Sequence, residues 1–153
     1  MTKAVLGREG LILAAVCAFV ACSSQSVRAA AFGAGDLVVV QVGTGVGALS
    51  SSATAGFLDE FPAAGGAMVQ SIALPTAVSG LNQPLTFSGS ATSEGFLHLS
   101  ADGQWLALAG YAAAPGVANP QTSIPTTVPR TVGIVGASGY IDTTTALRML
   151  LPL

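Results

Sequence analysis

The sequence predicts an all-β fold assembled from antiparallel hairpins. Glycine-centred turns recur along the chain, and short β-type runs flank each of them. The turns are Ala64-Gly65-Gly66-Ala67, Ala101-Asp102-Gly103-Gln104 and Ala137-Ser138-Gly139-Tyr140. Gly66 and Gly103 are 37 positions apart, and Gly103 and Gly139 are 36 apart. This near-constant spacing indicates a structural repeat, and a β-propeller blade is the commonest strand-built repeat of about that length.

Runs of β-branched and aromatic residues predict where the strands lie. Asp36 to Val42 predicts a strand buried on both faces, and a short strand is expected at Leu85-Thr86-Phe87. The first hairpin is predicted from residues 56–61 and 68–74, and the third from 131–135 and 140–144. Segments rich in glycine, serine and proline predict the connecting loops, at residues 43–54, 76–92 and 112–128.

The second hairpin has the clearest local pattern. Asp-Gly between alternating runs favours a two-residue type I′ turn, in which both central residues have positive φ. This turn pairs Ala101 with Gln104 and places Leu99 opposite Leu106. One face then carries Leu97, Leu99, Leu106 and Leu108, and the other carries Phe96, His98, Ser100, Trp105, Ala107 and Ala109.

Residues 1–31 are typical of an export signal that forms a signal-peptide helix. Lys3 and Arg8 precede an apolar run of 12 residues from Leu11 to Cys22. Cleavage is expected after Ala31, in Ala29-Ala30-Ala31, with cleavage after Ala29 as the alternative. The run is shorter than the roughly 20 residues that a membrane-spanning helix needs. We therefore expect a secreted or cell-envelope protein with no membrane span once the signal is removed.

The end of the apolar run allows a second form of processing. Phe19-Val20-Ala21-Cys22-Ser23 resembles a bacterial lipoprotein box, in which lipidation of Cys22 would anchor the chain to a membrane. Both cysteines, Cys17 and Cys22, lie within the leader. The mature chain is therefore expected to contain no disulfide and no cysteine metal site.

The charge of the mature chain limits its partners. Residues 32–153 contain six acidic residues and two arginines, a net charge of −4. Without a basic patch, nucleic acid and anionic lipid surfaces are not expected as partners. Exposed sheet edges would favour self-association instead. Only 8% of the residues are charged, which would suit strands that are covered on both faces.

The second hairpin also supports a resemblance to a known architecture. Leu97 to Leu108 contains Ser100-Ala101-Asp102-Gly103-Gln104-Trp105-Leu106 and resembles blade strands of seven-bladed or WD-like bacterial propellers. Residues 36–147 resemble the N-terminal part of exported bacterial propeller-like proteins of uncharacterised function, through Ser93-Glu94-Gly95 and Thr144-Thr145-Ala146-Leu147. The resemblance implies an incomplete array of two to three antiparallel blades over residues 32–147.

The number of repeats departs from that family, because a closed propeller needs roughly four to eight blades. The apolar tail, residues 148–153, also differs from the preceding β pattern. We therefore expect a truncated or frameshifted chain. A self-contained small β-sandwich, or a partial propeller completed by self-association, is the alternative.

Motifs that could bind a cofactor lack the structure that such sites need. Gly43 to Ala48 matches G-x-G-x-x-A, but no amphipathic helix follows. Val132 to Tyr140 resembles the nucleotide loop of N-acetyl-glutamyl-phosphate reductases, yet only 13 residues follow it. We interpret the first as a loop and the second as a hairpin, and we expect no cofactor.

Few side chains are candidates for chemistry. His98, the only histidine, is predicted to pack within a blade, and Asp59-Glu60 to form a solvated strand end whose carboxylates point to opposite faces. We nominate no catalytic or metal-binding residue. Trp105 is expected to pack across strands, and stacking against a ligand ring is the alternative.

These observations favour an exported, non-enzymatic protein that serves as a binding or scaffold module at the cell surface. The alternative is the N-terminal fragment of an extracellular carbohydrate-active lyase or hydrolase whose catalytic residues lie in missing blades. A gene fragment with no stable function is the third reading.

Overall fold

A computed structural model describes residues 29–148 of the chain. The predicted leader up to residue 28, the candidate lipidation site Cys22 and the tail from residue 149 lie outside the described residues. The described part contains eight strands and one 3-10 turn, η1 (Pro120–Thr122). The strands are β1 (Leu37–Val42), β2 (Ala53–Phe61), β3 (Gln70–Ala73), β4 (Thr86–Ser88), β5 (His98–Leu99), β6 (Trp105–Tyr111), β7 (Arg130–Gly136) and β8 (Ile141–Leu147).

All strand pairs are antiparallel, so the all-β prediction is confirmed. The order in the sheet is β1-β2-β4-β6-β7-β8, with β3 added on β2 and β5 added on β6. The positions of the three predicted turns are also confirmed, because they connect β2 to β3, β5 to β6, and β7 to β8. No helix in residues 29–148 is long and apolar enough to cross a membrane.

The three hairpins share one sheet. β4 pairs with β2 on one side and β6 on the other, and β6 pairs with β7 along its whole length. Strands of successive hairpins are therefore hydrogen-bonded to one another. Within the described residues, the hairpins are not divided among separate blade sheets.

The register of the second hairpin agrees with the prediction. Leu99 lies opposite Leu106, and His98 lies opposite Ala107. Leu108 is buried, and Leu97 and Leu106 pack against the core from the same side. Leu99 is the exception, because it lies at the exposed end of a strand of only two residues.

The turn of this hairpin is of a different type from the predicted one. Ser100 N donates a hydrogen bond to Trp105 O at 2.8 Å, and Gly103 N donates to Ser100 O at 2.9 Å, so residues 101–104 form a four-residue loop. Gly103 has a φ of +71°, whereas Asp102 does not have positive φ. The predicted type I′ turn is therefore wrong. The register is unchanged because both loops are centred on the same two residues.

Two other predicted strands are refined by the structure. β1 is not buried on both faces: Leu37 and Val39 are exposed, whereas Val38 and Val40 pack against the core. Side chains alternate along a strand, and only the face of β1 that carries Val38 and Val40 packs against the core. The short strand expected around Phe87 is confirmed as β4, and all three of its residues are buried.

The core lies around β4. Its fully buried members include Phe87, Leu58, Leu85 and Val135. Partly buried side chains pack on this cluster: Ala29, Phe32, Val38, Val40, Val42, Leu97, Leu106 and Ile141. Because these residues come from both ends of the strand order, the sheet folds over a common core.

Glycines make the space that Phe87 occupies. A Cβ atom on Gly56 of β2 would lie 2.7 Å from Phe87 Cδ2, and one on Gly110 of β6 would lie 3.4 Å from Phe87 Cε1. The ring therefore lies against backbone on both neighbouring strands. Neither glycine has positive φ, so the constraint here is space.

We expect Gly103→Val to destabilise the second hairpin. Nothing lies within 4 Å of a Cβ atom at Gly103, so the cost comes from its left-handed backbone and amounts to about 1–2 kcal/mol. Gly103→Asn is the matched control, because asparagine tolerates this conformation better. Urea unfolding, followed by Trp105 fluorescence, measures both. Equal midpoints for the valine variant and the parent would contradict the assignment.

We expect Gly56→Ala to lower the free energy of unfolding by about 1–3 kcal/mol, because the added methyl group overpacks the core against Phe87. In the double variant with Phe87→Leu, the smaller side chain should relieve part of this cost. A double-mutant cycle from urea unfolding measures this coupling. Strict additivity of the two losses would show that the methyl group and the ring do not compete for space.

Candidate functional site

The outer face of β6 and β7 carries the residues that the sequence placed opposite the leucines. Because side chains alternate along a strand, Trp105, Ala107 and Ala109 point away from the core that Leu106 and Leu108 contact. The cross-strand partners of these three outward residues are Gly136, Ile134 and Val132 of β7. Each of these pairs therefore joins a small residue to a larger one.

Trp105 lies on the backbone of the neighbouring strand. It is directly opposite Gly136, and a Cβ atom on this glycine would lie 3.1 Å from Trp105 Cζ3. The indole is nevertheless 44% exposed. Trp105 thus makes the predicted cross-strand contact and also leaves much of its ring accessible to a ligand.

A shallow cleft of about 530 Å³, here called the aromatic cleft, begins at Trp105. Tyr140 and Asp142, which the β7–β8 hairpin brings to this face, line it together with His98. The remaining lining residues are Leu99, Ser100, Ala107 and Ile134. The volume lies within the range of roughly 300–1,000 Å³ that small-molecule sites occupy.

The polar groups of the aromatic cleft face solvent. His98 is exposed, so the prediction that it packs within the structure is wrong: β5 is an edge strand, and its outward residue has no layer above it. Asp142 accepts a hydrogen bond from Thr144 N at 2.8 Å, and this bond lowers the pKa of its carboxyl group. Asp142 is therefore an anionic acceptor at neutral pH.

A second cleft of about 430 Å³ adjoins the first and shares His98 and Ala107 with it. At its far end, Tyr111 O–H donates to Glu94 Oε1 at 2.5 Å, and Ser88 N donates to Glu94 Oε2 at 2.8 Å. The Arg130 guanidinium carbon lies 4.7 Å from the centroid of the Tyr111 ring.

This Glu94–Tyr111–Arg130 group was missed by sequence reasoning. Tyr111 and Arg130 are directly opposed in the β6–β7 register, but the loop between them hides that pairing in the sequence. Arg130 also donates to Val128 O at 2.5 Å and to Ser123 O at 2.7 Å. Glu94 and Tyr111 are hydrogen-bonded to each other, and Glu94 and Arg130 are hydrogen-bonded to backbone groups. The group therefore stabilises this end of the cleft.

Tyr111 is held in its protonated form. Burial raises its pKa to about 12, assisted by the hydrogen bond to Glu94 and by the negative charge of that carboxylate. The nearby Arg130 acts in the opposite direction. The phenol is therefore a hydrogen-bond donor at neutral pH and not a base.

Asp59 and Glu60 do not form a solvated strand end. Both are buried, and their strand, β2, pairs with β1 on one side and β3 on the other. Their partners differ, as expected for adjacent strand residues: Asp59 Oδ1 accepts from Ser71 Oγ at 2.5 Å, and Glu60 Oε2 accepts from Gln70 Nε2 at 2.6 Å. The two carboxylates do not act on a common ligand.

The motifs set aside on sequence grounds are loops and hairpins in the structure. Residues 43–48 form an irregular loop in which three glycines have positive φ, and residues 132–140 run from β7 into the third turn. Across residues 29–148, no group of three His, Cys, Asp or Glu side chains could hold a metal ion.

We find no protein-family model, curated protein or solved structure that matches this chain. Function is therefore inferred from the residues of this chain alone. The aromatic cleft is the candidate site, because it combines accessible aromatic rings with polar side chains.

We expect the absorbance titration of Tyr111 to depend on Glu94. In a Tyr140→Phe background Tyr111 is the sole tyrosine, and it should ionise near pH 12. Adding Glu94→Gln removes the negative charge, so ionisation should move to lower pH. The folded state favours the protonated phenol, so Tyr111 also contributes to the free energy of unfolding. This contribution is complete below about pH 10 and is lost as pH rises toward 12. The same midpoint with and without Glu94 would contradict this account.

Proposed function

We propose that the chain is an exported, non-enzymatic binding module that takes a neutral saccharide in the aromatic cleft. The observation that supports this most is the seating of Trp105 on Gly136, which keeps a broad indole surface accessible. Tyr140, which is 58% exposed, supplies a second ring in the same cleft.

The chemistry of the cleft suits a sugar ring. Pyranose rings have flat faces of C–H groups and a rim of hydroxyls. Aromatic side chains such as Trp105 cover apolar surface of this shape. Asp142 can accept hydrogen bonds from hydroxyl groups, and the His98 imidazole can form hydrogen bonds with them as well. Apolar walls with a few polar groups are the usual composition of small-ligand sites.

The charge of the chain favours a neutral ligand over an anionic one. Residues 32–153 contain no lysine and only two arginines. Arg130 belongs to the second cleft, where it is bonded to backbone carbonyls. The aromatic cleft itself contains Asp142, which would repel an acidic polysaccharide.

Export remains part of this proposal. The sequence supports export, because basic residues near Met1 are followed by an apolar run and then by small residues before Phe32. Cleavage after Ala31 or Ala29 would release the protein, whereas lipidation of Cys22 would hold it at the cell envelope. The intact mass of the mature N-terminus separates these forms.

A propeller-like array is a further proposal about the gene. Its support is the spacing of 37 and 36 residues between turns, and against it stands the pairing of neighbouring hairpins through β4. Sequencing the gene downstream of the codon for Leu153, translated in three frames, tests it. Further hairpins at the same spacing would support a broken array, and they could also contain the catalytic residues of the carbohydrate-active alternative.

We expect Trp105→Ala to weaken saccharide binding by about tenfold, equivalent to about 1.4 kcal/mol. Calorimetry with a soluble β-glucan, a galactomannan and an arabinoxylan measures the affinity. Since Trp105 is the only tryptophan, a change in the fluorescence of the parent protein locates the ligand beside it.

Trp105→Phe is the matched control and should retain part of the affinity, because it keeps an aromatic face. Leu37→Ala changes an exposed apolar residue on β1 and should bind like the parent. If none of the three saccharides binds the parent, or if the alanine variant binds as tightly as the parent, the proposal is wrong.

A further inference from the structure

Glu60 is a fully buried carboxyl group whose bonded partners are uncharged. Its Oε1 accepts from Gly33 N at 2.5 Å and its Oε2 from Gln70 Nε2. Burying a carboxylate is costly unless it is both hydrogen-bonded and paired with a cation. Glu60 therefore has hydrogen bonds but lacks a positive charge among these partners.

The residues around the predicted cleavage point lie beside this carboxyl group. Phe32 packs against the core, and its backbone N donates to Ala137 O at 2.9 Å in the third turn. Gln70 Nε2 contacts both Glu60 and Ala30 O, the latter at 3.2 Å. Residues 30–33 therefore lie beside the C-terminal end of β2.

We propose that Glu60 is the counter-ion of a new N-terminus, created when the chain is cut between Ala31 and Phe32. This inference rests on the proposed export, because a signal-peptide protease makes the cut. Water adds across the Ala31–Phe32 amide bond: the carbonyl carbon takes the hydroxyl, and Phe32 N takes a proton. Near neutral pH the products are a carboxylate on Ala31 and an ammonium on Phe32.

The neighbouring residue, Gly33, places this N-terminus near Glu60. Gly33 N already contacts Glu60, and Phe32 N belongs to the preceding residue, whose Cα is about 3.8 Å from that of Gly33. An ammonium has three donors where an amide has one. It can keep the bond to Ala137 O and direct another donor to Glu60.

A second carboxyl group strengthens the negative environment. A Cβ atom on Gly33 would lie 3.0 Å from Asp36 Cγ and 3.3 Å from Glu60 Oε1. These two are the titratable side chains that the structure places against residue 33. Cleavage after Ala29 would instead put the ammonium at Ala30, two residues further from this environment.

The composition of the chain makes the test specific. Lys3 is the only lysine, so the α-amine is the only amine in the processed protein. The precursor is expressed with its own leader in a bacterial host, and the exported protein is recovered for intact mass analysis. Acetylation at pH 8 with an N-hydroxysuccinimide ester, followed by hydroxylamine to clear tyrosine esters, is then timed by mass.

An N-terminus at Phe32 is expected. Acetylation should be at least about tenfold slower in the folded parent than in Glu60→Gln, because a nearby opposite charge raises an amine pKa by about 1–3 units and each unit lowers the reactive fraction tenfold. The matched control is Asp59→Asn, which removes a buried acid on the same strand bonded to Ser71 instead, and it should react like the parent. All three proteins should react equally in urea.

A second measurement covers the case in which Glu60→Gln does not fold. Parent protein acetylated in urea and then refolded should melt below the unmodified parent at pH 6. This difference should shrink as pH rises through the raised pKa of the amine, because the unmodified amine then also loses its charge.

The outcomes separate the inference from the export proposal. An N-terminus at Ala30 or Cys22 overturns the inference and leaves export standing, and an N-terminus at Met1 overturns both. An N-terminus at Phe32 with equal acetylation rates in the parent and Glu60→Gln, or with no pH-dependent difference in melting, overturns the inference alone.

Discussion

The packing of Phe87 between backbones is the constraint on which the rest of the sheet depends. β4 has only three residues, yet it joins β2 to β6 and so connects the first hairpin with the other two. Its ring fits because Gly56 presents no side chain where it lies. A larger residue at Gly56 would push against the ring, and one at Gly110 of β6 would collide with the Thr86 carbonyl of β4 and with Leu85, so β4 needs a glycine on each neighbouring strand. Leu58 of β2 and Val135 of β7 belong to the same buried cluster as Phe87.

The sequence was informative where contacts are local and uninformative where they are distant. Turns and alternation predicted three hairpins, and the Leu99–Leu106 register followed because it depends only on where the loop is centred. The type of that turn did not follow, since loops of two and four residues with the same centre give the same register. Phe87 could be predicted as part of a short strand. Its central position could not, because its partner Thr54 lies in another hairpin and a three-residue strand has no periodicity.

In the candidate site, too, local features could be predicted from the sequence and distant contacts could not. Trp105 could be nominated from its place beside the turn, and its outward direction followed from the alternation. The cleft needs Tyr140 and Asp142, which reach it only because β7 pairs with β6 across a long irregular loop. Burial of Asp59 and Glu60 was missed for a similar reason: charge predicts exposure, whereas the groups that bond to these carboxylates come from other parts of the chain, at Gly33, Gln70 and Ser71.

The small number of basic side chains is reflected in the groups that bond to the carboxylates. Residues 32–153 contain two arginines and six acidic residues, and the carboxylates of the interior accept hydrogen bonds from neutral donors. Glu94 uses a phenol and a backbone amide, and Asp59 uses a hydroxyl. Arg130 lies over the Tyr111 ring and donates to carbonyls. Glu60 is the most buried of these acids, and within residues 29–148 its hydrogen-bond partners carry no positive charge. An α-ammonium at Phe32 would supply that charge without adding a basic residue, so the step that frees the chain from its leader would also complete its core.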